Sequence, residues 1–251
     1  MNIESFIIEN VDNISYIDSL LMALFYQPSQ CDNILSKIIN QPLLIYLQEY
    51  IKDKFISMIR NHKSILNNDM EKLKELCFQL GWKENNIFEY KKQQDVVEFY
   101  IFLTSLFEYD ETKLIQLTLP EDKSIIMLKD LIYQFDDNSA KYPYMIALSL
   151  NRLNEQGYGL DISIDIQKKI YPYSKIITLD SPKWIFHAAI CCHWSSKYKN
   201  YHYYTLLNLN HNKWAIFNNL KVPCLKEVFM NDKKIINKIK HECVFLFYKR
   251  A

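Results

Sequence analysis

The chain has 251 residues, of which 49% are hydrophobic and 14% aromatic, and its net charge is +1. That length suits one large domain or two tightly joined subdomains with a substantial core, and the composition excludes a disordered chain. A charge so close to zero removes the electrostatic case for a nucleic-acid or membrane-surface partner.

From Asn13 to Phe107 the pattern is helical. Ile17, Leu20, Leu21 and Leu24 recur at i, i+3, i+4 and i+7, predicting a helix that begins around Ser15 with one buried face. Pro42–Arg60 is a second helix, opening on a proline where a missing N–H does no harm. Asp69–Leu80 is a third. Gln94–Phe107 is a fourth, with Val96, Phe99, Leu103 and Leu106 on one stripe. From Leu114 onward, short apolar or alternating runs bounded by turn residues predict strands. They fall at Leu114–Leu119, Tyr144–Leu150, Leu160–Ile166, Trp184–Cys191, Tyr203–Leu209, Trp214–Phe217 and Cys243–Tyr248. Asn210-His211-Asn212 reads as a turn joining two paired strands. Helices in front and an antiparallel sheet behind make an α+β protein. The division falls at about 110, with 1–110 helical and 111–251 β-rich. Active sites often sit in the cleft between two such halves.

The start, Met1-Asn2-Ile3-Glu4-Ser5, has no basic stretch followed by an apolar one, so no secretory signal is expected. No apolar run reaches the ~18 residues of a membrane span. The cysteines (Cys31, Cys77, Cys191, Cys192, Cys224 and Cys243) form no C-x-x-C pair, which argues against a zinc site and for reduced thiols in the cytoplasm or nucleus. Heavy use of Asn, Ile, Lys and Tyr points to an AT-rich genome, such as a large DNA virus or an intracellular parasite.

Three segments carry the types of side chain that nucleophilic catalysis needs. Asn10 to Tyr16 places the Ser15 hydroxyl at a helix start, where amide hydrogens and the dipole stabilise negative charge. Read alone, Ser15 is a helix N-cap. His202 opens a strand among tyrosines, a setting in which a lone histidine is usually structural. Asn218 follows the next strand, and a hairpin can bring its side-chain oxygen to His202. Together the three form a nucleophile, a base and an orienting group.

Order and spacing add a resemblance to the ubiquitin-specific protease (USP) family. NVDNISYIDSLLMALF, from Asn10 to Phe25, resembles the family's cysteine box, Asn-x-Gly-Asn-Thr-Cys-Tyr-x-Asn-Ser. Gln93 to Phe99 resembles its Gln-Gln-Asp-Ala-x-Glu-Phe box. Pro143 to Arg152 resembles its Pro-x-x-Leu-x-Ile-x-Leu-x-Arg strand. Tyr201-His202-Tyr203, then Trp214 and Phe217-Asn218-Asn219, resemble the histidine box, Gly-His-Tyr followed by Trp and Phe-Asp/Asn-Asp. Val244 to Arg250 resembles the final strand.

The resemblance implies a papain-like fold of USP type, with a helical thumb and an antiparallel β palm. It implies a cofactor-free thiol isopeptidase that cleaves after the C-terminal glycine of ubiquitin. Ser15 holds the nucleophile position, His202 that of the base and Asn218 that of the orienter. Asn10 stands where the oxyanion-hole asparagine does. Gln94, Asp95 and Tyr203 would bind ubiquitin's tail.

Departures accompany these matches. Serine replaces the nucleophilic cysteine, so the chain as written is expected to be inactive or very slow. Two origins stay open: replacement of a native cysteine, or a natural pseudoenzyme that serves as a ubiquitin-binding scaffold. Asp12 and Asn200-Tyr201 stand where the family has glycine, so both loops are expected to be reshaped. Asp12 would oppose an oxyanion, and Asp18 replaces an asparagine. Only about fifty residues separate Asp95 from Ile146. The ubiquitin-gripping fingers are therefore expected to be absent or reduced, and another ubiquitin-like modifier is an alternative substrate.

Overall fold

The structure, a computed structural model, describes residues 7–9, 13–85, 94–132, 142–152, 160–172, 181–195, 200–209 and 213–251. The turn expected at Asn210-His211-Asn212 lies outside them.

Helix α1 (Ser15–Phe25) is buried along its whole length, not on one face alone. It lies between the other helices and the sheet, so its polar residues Ser15, Asp18 and Ser19 are enclosed too. Thr205 Oγ1 donates to the Ser19 carbonyl at 2.9 Å. On the helical side, Trp82 Nε1 donates to the Tyr16 hydroxyl at 3.0 Å, and the Phe99 ring meets Tyr16 edge-on at 5.2 Å. The predicted run over 42–60 is continuous: α2 (Pro42–Tyr50), a π-helical stretch (Ile51–Ile56) and α3 (Ser57–Arg60). Then come α4 (Asn67–Gln79) and α5 (Val96–Leu106).

The β-rich part comprises β1 (Thr112–Thr118), β2 (Ile125–Met127), the short α6 (Leu128–Ile132), β3 (Met145–Asn151), β4 (Ser163–Asp165), β5 (Lys169–Ile170), β6 (Trp184–Ser195), β7 (Asn200–Asn208), β8 (Trp214–Phe217), β9 (Leu225–Val228), α7 (Lys233–Glu242) and β10 (Cys243–Arg250). The main sheet runs β1-β3-β10-β6-β7-β8-β9, with β5 paired to β6. β2, β5, β9 and α7 are additions to the predicted set. The expected antiparallel palm also needs correction, because β1 pairs with β3 in parallel and β2 with β4 in parallel. A parallel pair needs a crossover of a dozen residues or more, and the long β1–β3 connection supplies one.

Alternation along the strands sorts side chains into two cores. Ala147, Ala188, Ile190, Tyr203, Phe245 and Phe247 join the helical core. Ile146, Leu148, Ala189, Tyr204, Leu246 and Tyr248 face the other way, toward α6 and α7. The β6–β10 register slips between Phe247 opposite Ala188 and Tyr248 opposite Phe186, leaving His187 as the extra residue of a buried bulge.

Arg152, at the end of the β3 motif, ties the far side together. Its guanidinium donates to the carbonyls of Cys243 (2.6 Å), Ile162 (2.6 Å) and Lys240 (2.8 Å). One of these is an end carbonyl of α7, which has no helical partner of its own. A lysine ammonium has no fork to span all three, so Arg152→Lys is expected to lose about 2–4 kcal/mol of stability. Denaturant unfolding would show a lower midpoint at an unchanged slope.

Candidate active site

The chain enters α1 through Asn13, whose φ of 59° is left-handed, a conformation asparagine tolerates better than most residues. Ile14 is the N-cap residue, and its side chain makes no capping bond. Ser15 is thus the first helical residue, and the expectation that it is a cap is corrected. Its hydroxyl is used elsewhere: the Tyr203 N–H donates to Ser15 Oγ at 3.1 Å. The first turn of α1 is thereby pinned to β7 at the amide immediately after His202. Ser15 is buried, at 5% exposure.

His202 Nε2 lies 3.0 Å from Asn218 Oδ1. The same oxygen accepts the Leu220 N–H at 3.0 Å, which identifies it as the acceptor end of the amide. The imidazole must then carry its proton on Nε2, leaving Nδ1 as the ring's acceptor. Burial pushes the pKa of His202 below its usual value, the bond to Asn218 opposes this, and the charges of His193 and Lys238 depress it further. His193 is the cross-strand partner of His202 in the β6–β7 register, and Glu242 of α7 stands 3.3 Å from its Nδ1. Removing the bond that opposes desolvation has a defined sign. In Asn218→Ala, His202 is expected to titrate at lower pH than in the parent, as followed by its ring resonances in an NMR titration.

The other predicted residues divide. Asp95 is exposed and spends its carboxylate on capping α5, accepting from the Val97 and Glu98 amides at 2.7 and 3.0 Å. Gln94 and Tyr203 are both buried, and the Tyr203 hydroxyl bonds to the backbone at Val96. The start of α5 therefore meets the strand that carries His202. Asn10 and Asp12 lie outside the described residues.

No native thiol stands in for Ser15. The six cysteines are free, and burial pushes every one of them upward. Cys31 and Cys192 reach about 12 and Cys224 about 11. A reactive cysteine needs the opposite shift.

No family model and no curated protein matches the chain. Solved structures do. A SAGA DUB module containing Ubp8, with Sgf11, Sus1 and Sgf73 and bound to monoubiquitin, superposes with a TM-score of 0.69 over 100% of this chain and 70% of that one, at 13% identity. The same module bound to ubiquitin aldehyde gives 0.65 over 97% and 69%, again at 13% identity. Ubp8 is a USP-type deubiquitinase. The chain has the papain-like USP fold.

Within that fold, the missing glycines are accommodated without strain at the histidine. Asn200 and Tyr201 continue β7 as ordinary extended strand, and neither has positive φ. Asp18, by sequence a mere departure, has a partner. The Asn219 amide donates to Asp18 Oδ2 at 2.6 Å, and both residues are buried. Where the USP pattern has an amide on the helix and a carboxylate on the loop, this chain has the two exchanged. Sequence reasoning marked Asp18 as a departure but counted Asn219 within the matching histidine box, and so missed the pair, because only the exchange of both residue types signals it.

Proposed function

We propose that this chain takes the C-terminal tail of ubiquitin into the cleft at the start of α1, and that Ser15 leaves it a very slow hydrolase of ubiquitin conjugates. The observation that supports the reading is the Tyr203 N–H bond to Ser15 Oγ, made one residue along β7 from the His202 that pairs with Asn218. Support comes from the USP-fold neighbours, which were solved with ubiquitin or ubiquitin aldehyde bound.

In this reading His202 Nδ1 removes the proton from the attacking group and returns it to the leaving amine. Asn218 fixes the tautomer, and the Ser15 peptide N–H stabilises the developing oxyanion, with Asn10 as the further donor that the resemblance implies. Gln94 and Asp95 flank the tail. The setting is the cytoplasm or nucleus, of a host cell if the chain is viral.

A second reading, a ubiquitin-binding scaffold without turnover, is favoured by one observation: burial raises the pKa of every native thiol, while the resemblance puts serine at the nucleophile position. A different modifier as the bound tail is favoured by the small insertion after β1, where the described residues form only β2 and α6.

The test is the Ser15→Cys protein, challenged with a ubiquitin carrying a C-terminal electrophile. A covalent adduct by mass spectrometry, lost in the additional His202→Ala variant, is expected. Parallel probes of other ubiquitin-like modifiers identify the preferred tail. A folded Ser15→Cys protein that labels with none of them would overturn the catalytic reading, and if it also fails to bind ubiquitin, the scaffold reading goes with it.

A further inference from the structure

We propose that Asp18 is a positioning residue: its carboxyl group anchors the Asn219 amide, and through it the loop that aims Asn218 at His202. This rests on the reading of Ser15, His202 and Asn218 given above.

The loop needs such an anchor. It closes on itself through Asn218 N–H to the Cys224 carbonyl (2.7 Å), Lys221 N–H to the Asn218 carbonyl (3.0 Å) and Leu220 N–H to Asn218 Oδ1. These bonds fix its shape at the end of the β8–β9 hairpin, and none of them reaches α1. Its tip faces solvent, with Leu220 and Val222 exposed. Asn219 is the buried residue beside the orienting Asn218, and its bond reaches across 201 positions of sequence to α1. Asp18 lies on that helix one turn beyond Ser15. One contact therefore joins the element that presents the nucleophile to the element that orients the base.

The chemistry of the pair argues for orientation over packing. Burying an acid is costly unless it is well bonded, and an apolar side chain would fill the same space without that cost. Asp18 Oδ1 has no partner outside its own residue among the described residues, so the Asn219 bond is the side-chain interaction that rewards its burial. A carboxyl–amide bond is also indifferent to which side supplies which group. Relative to the USP pattern, the exchange keeps one carboxyl and one amide at the two positions and reverses which side supplies which.

The swap gives the test. In the Ser15→Cys background, Asn219→Asp sets two buried carboxyl groups against each other, and the rate of labelling by the ubiquitin electrophile is expected to fall about a hundredfold. Asp18→Asn leaves a weaker amide–amide contact and is expected to fall about tenfold. The double swap, Asp18→Asn with Asn219→Asp, should recover to within about threefold of the parent, the coupling expected of residues in direct contact.

A second readout needs no turnover. In the Ser15 protein, long-range proton–nitrogen correlation reports the His202 tautomer. The Nε2–H form should be eroded in Asp18→Asn and restored in the double swap. An Asp18→Asn protein with lowered thermal stability but unchanged His202 tautomer would reduce Asp18 to a structural role and overturn the proposal. So would a double swap no better than the worse single variant. If the Ser15→Cys parent fails to label at all, the function reading falls, and the tautomer alone decides on Asp18.

Discussion

Ser15→Cys is expected to raise kcat/KM for a fluorogenic ubiquitin substrate by about a thousandfold or more, equivalent to ~4 kcal/mol of transition-state stabilisation. The argument begins with ionisation. A thiol with a pKa of roughly 8.5 is partly thiolate at neutral pH, and a helix N-terminus or an adjacent imidazole lowers it further. A serine hydroxyl has no comparable ionised fraction and depends wholly on a base. The base here is suited to that dependence but not strong, since burial holds His202 below its usual pKa. At position 15 a thiol meets what the six native thiols lack: the first turn of α1 and a backbone N–H donor from Tyr203, not apolar burial alone. Sulfur is larger than oxygen, so the Tyr203 N–H, on a strand paired on both sides, must give way slightly to admit it. Adding His202→Ala to the Ser15→Cys protein should remove about two to four of the orders of magnitude gained or present, the usual weight of a general base. A Ser15→Cys protein whose thiol titrates near 12, like Cys31, and whose rate stays at the Ser15 level would show that the site has been reshaped beyond repair by a single atom.

How much of this was legible in the sequence differs from residue to residue. Ile17, Leu20, Leu21 and Leu24 announced α1 through their spacing. The same spacing suggested one buried face, because Ser15, Asp18 and Ser19 look like the exposed side until Tyr203, Asn219 and Thr205 are seen opposite them. The hairpin that brings Asn218 to His202 was legible from the short interval between β7 and β8. The neighbourhood of His193 was not, since strand register is set by tertiary pairing and not by local pattern. Helix α7 was obscured by its lysines. Its signal was Asp232, which caps the helix by accepting from the Lys234 and Ile235 amides. Parallel pairing of β1 with β3 is a property of the connection, and a strand's own residues do not encode it.

Stability between pH 4 and 6.5 is expected to be nearly insensitive to two of the most perturbed groups in the protein, because their effects oppose each other. Desolvation raises Asp18 from 3.8 to about 7, with its own amide and the Asn219 bond opposing. In this window the folded chain holds a proton on Asp18 that the unfolded chain has released, so stability falls as pH rises. His187, in the bulge of β6, moves the other way. Burial first, then the Lys249 charge, lowers it from 6.5 to about 4, against a backbone group at Ala23. Here the unfolded chain holds the extra proton, so stability rises with pH. Each group contributes a slope of at most ~1.4 kcal/mol per pH unit, and across the shared window the two slopes cancel. Single substitutions uncover them. Asp18→Asn should show stability rising by about 3 kcal/mol from pH 4 to 6.5, the His187 contribution alone. His187→Gln should show stability falling by about 3–4 kcal/mol from pH 4 to 7, the Asp18 contribution alone. Whatever the substitutions do to packing shifts each curve as a whole and leaves its slope, so slopes from urea unfolding at a series of pH values are the quantity to compare. Parallel curves for all three proteins would mean that neither group keeps its buried, neutral form in the folded chain. Asp18 would then be ionised beside Asn219, and the bond that anchors the catalytic loop would be a charged one at every pH at which the protein is folded.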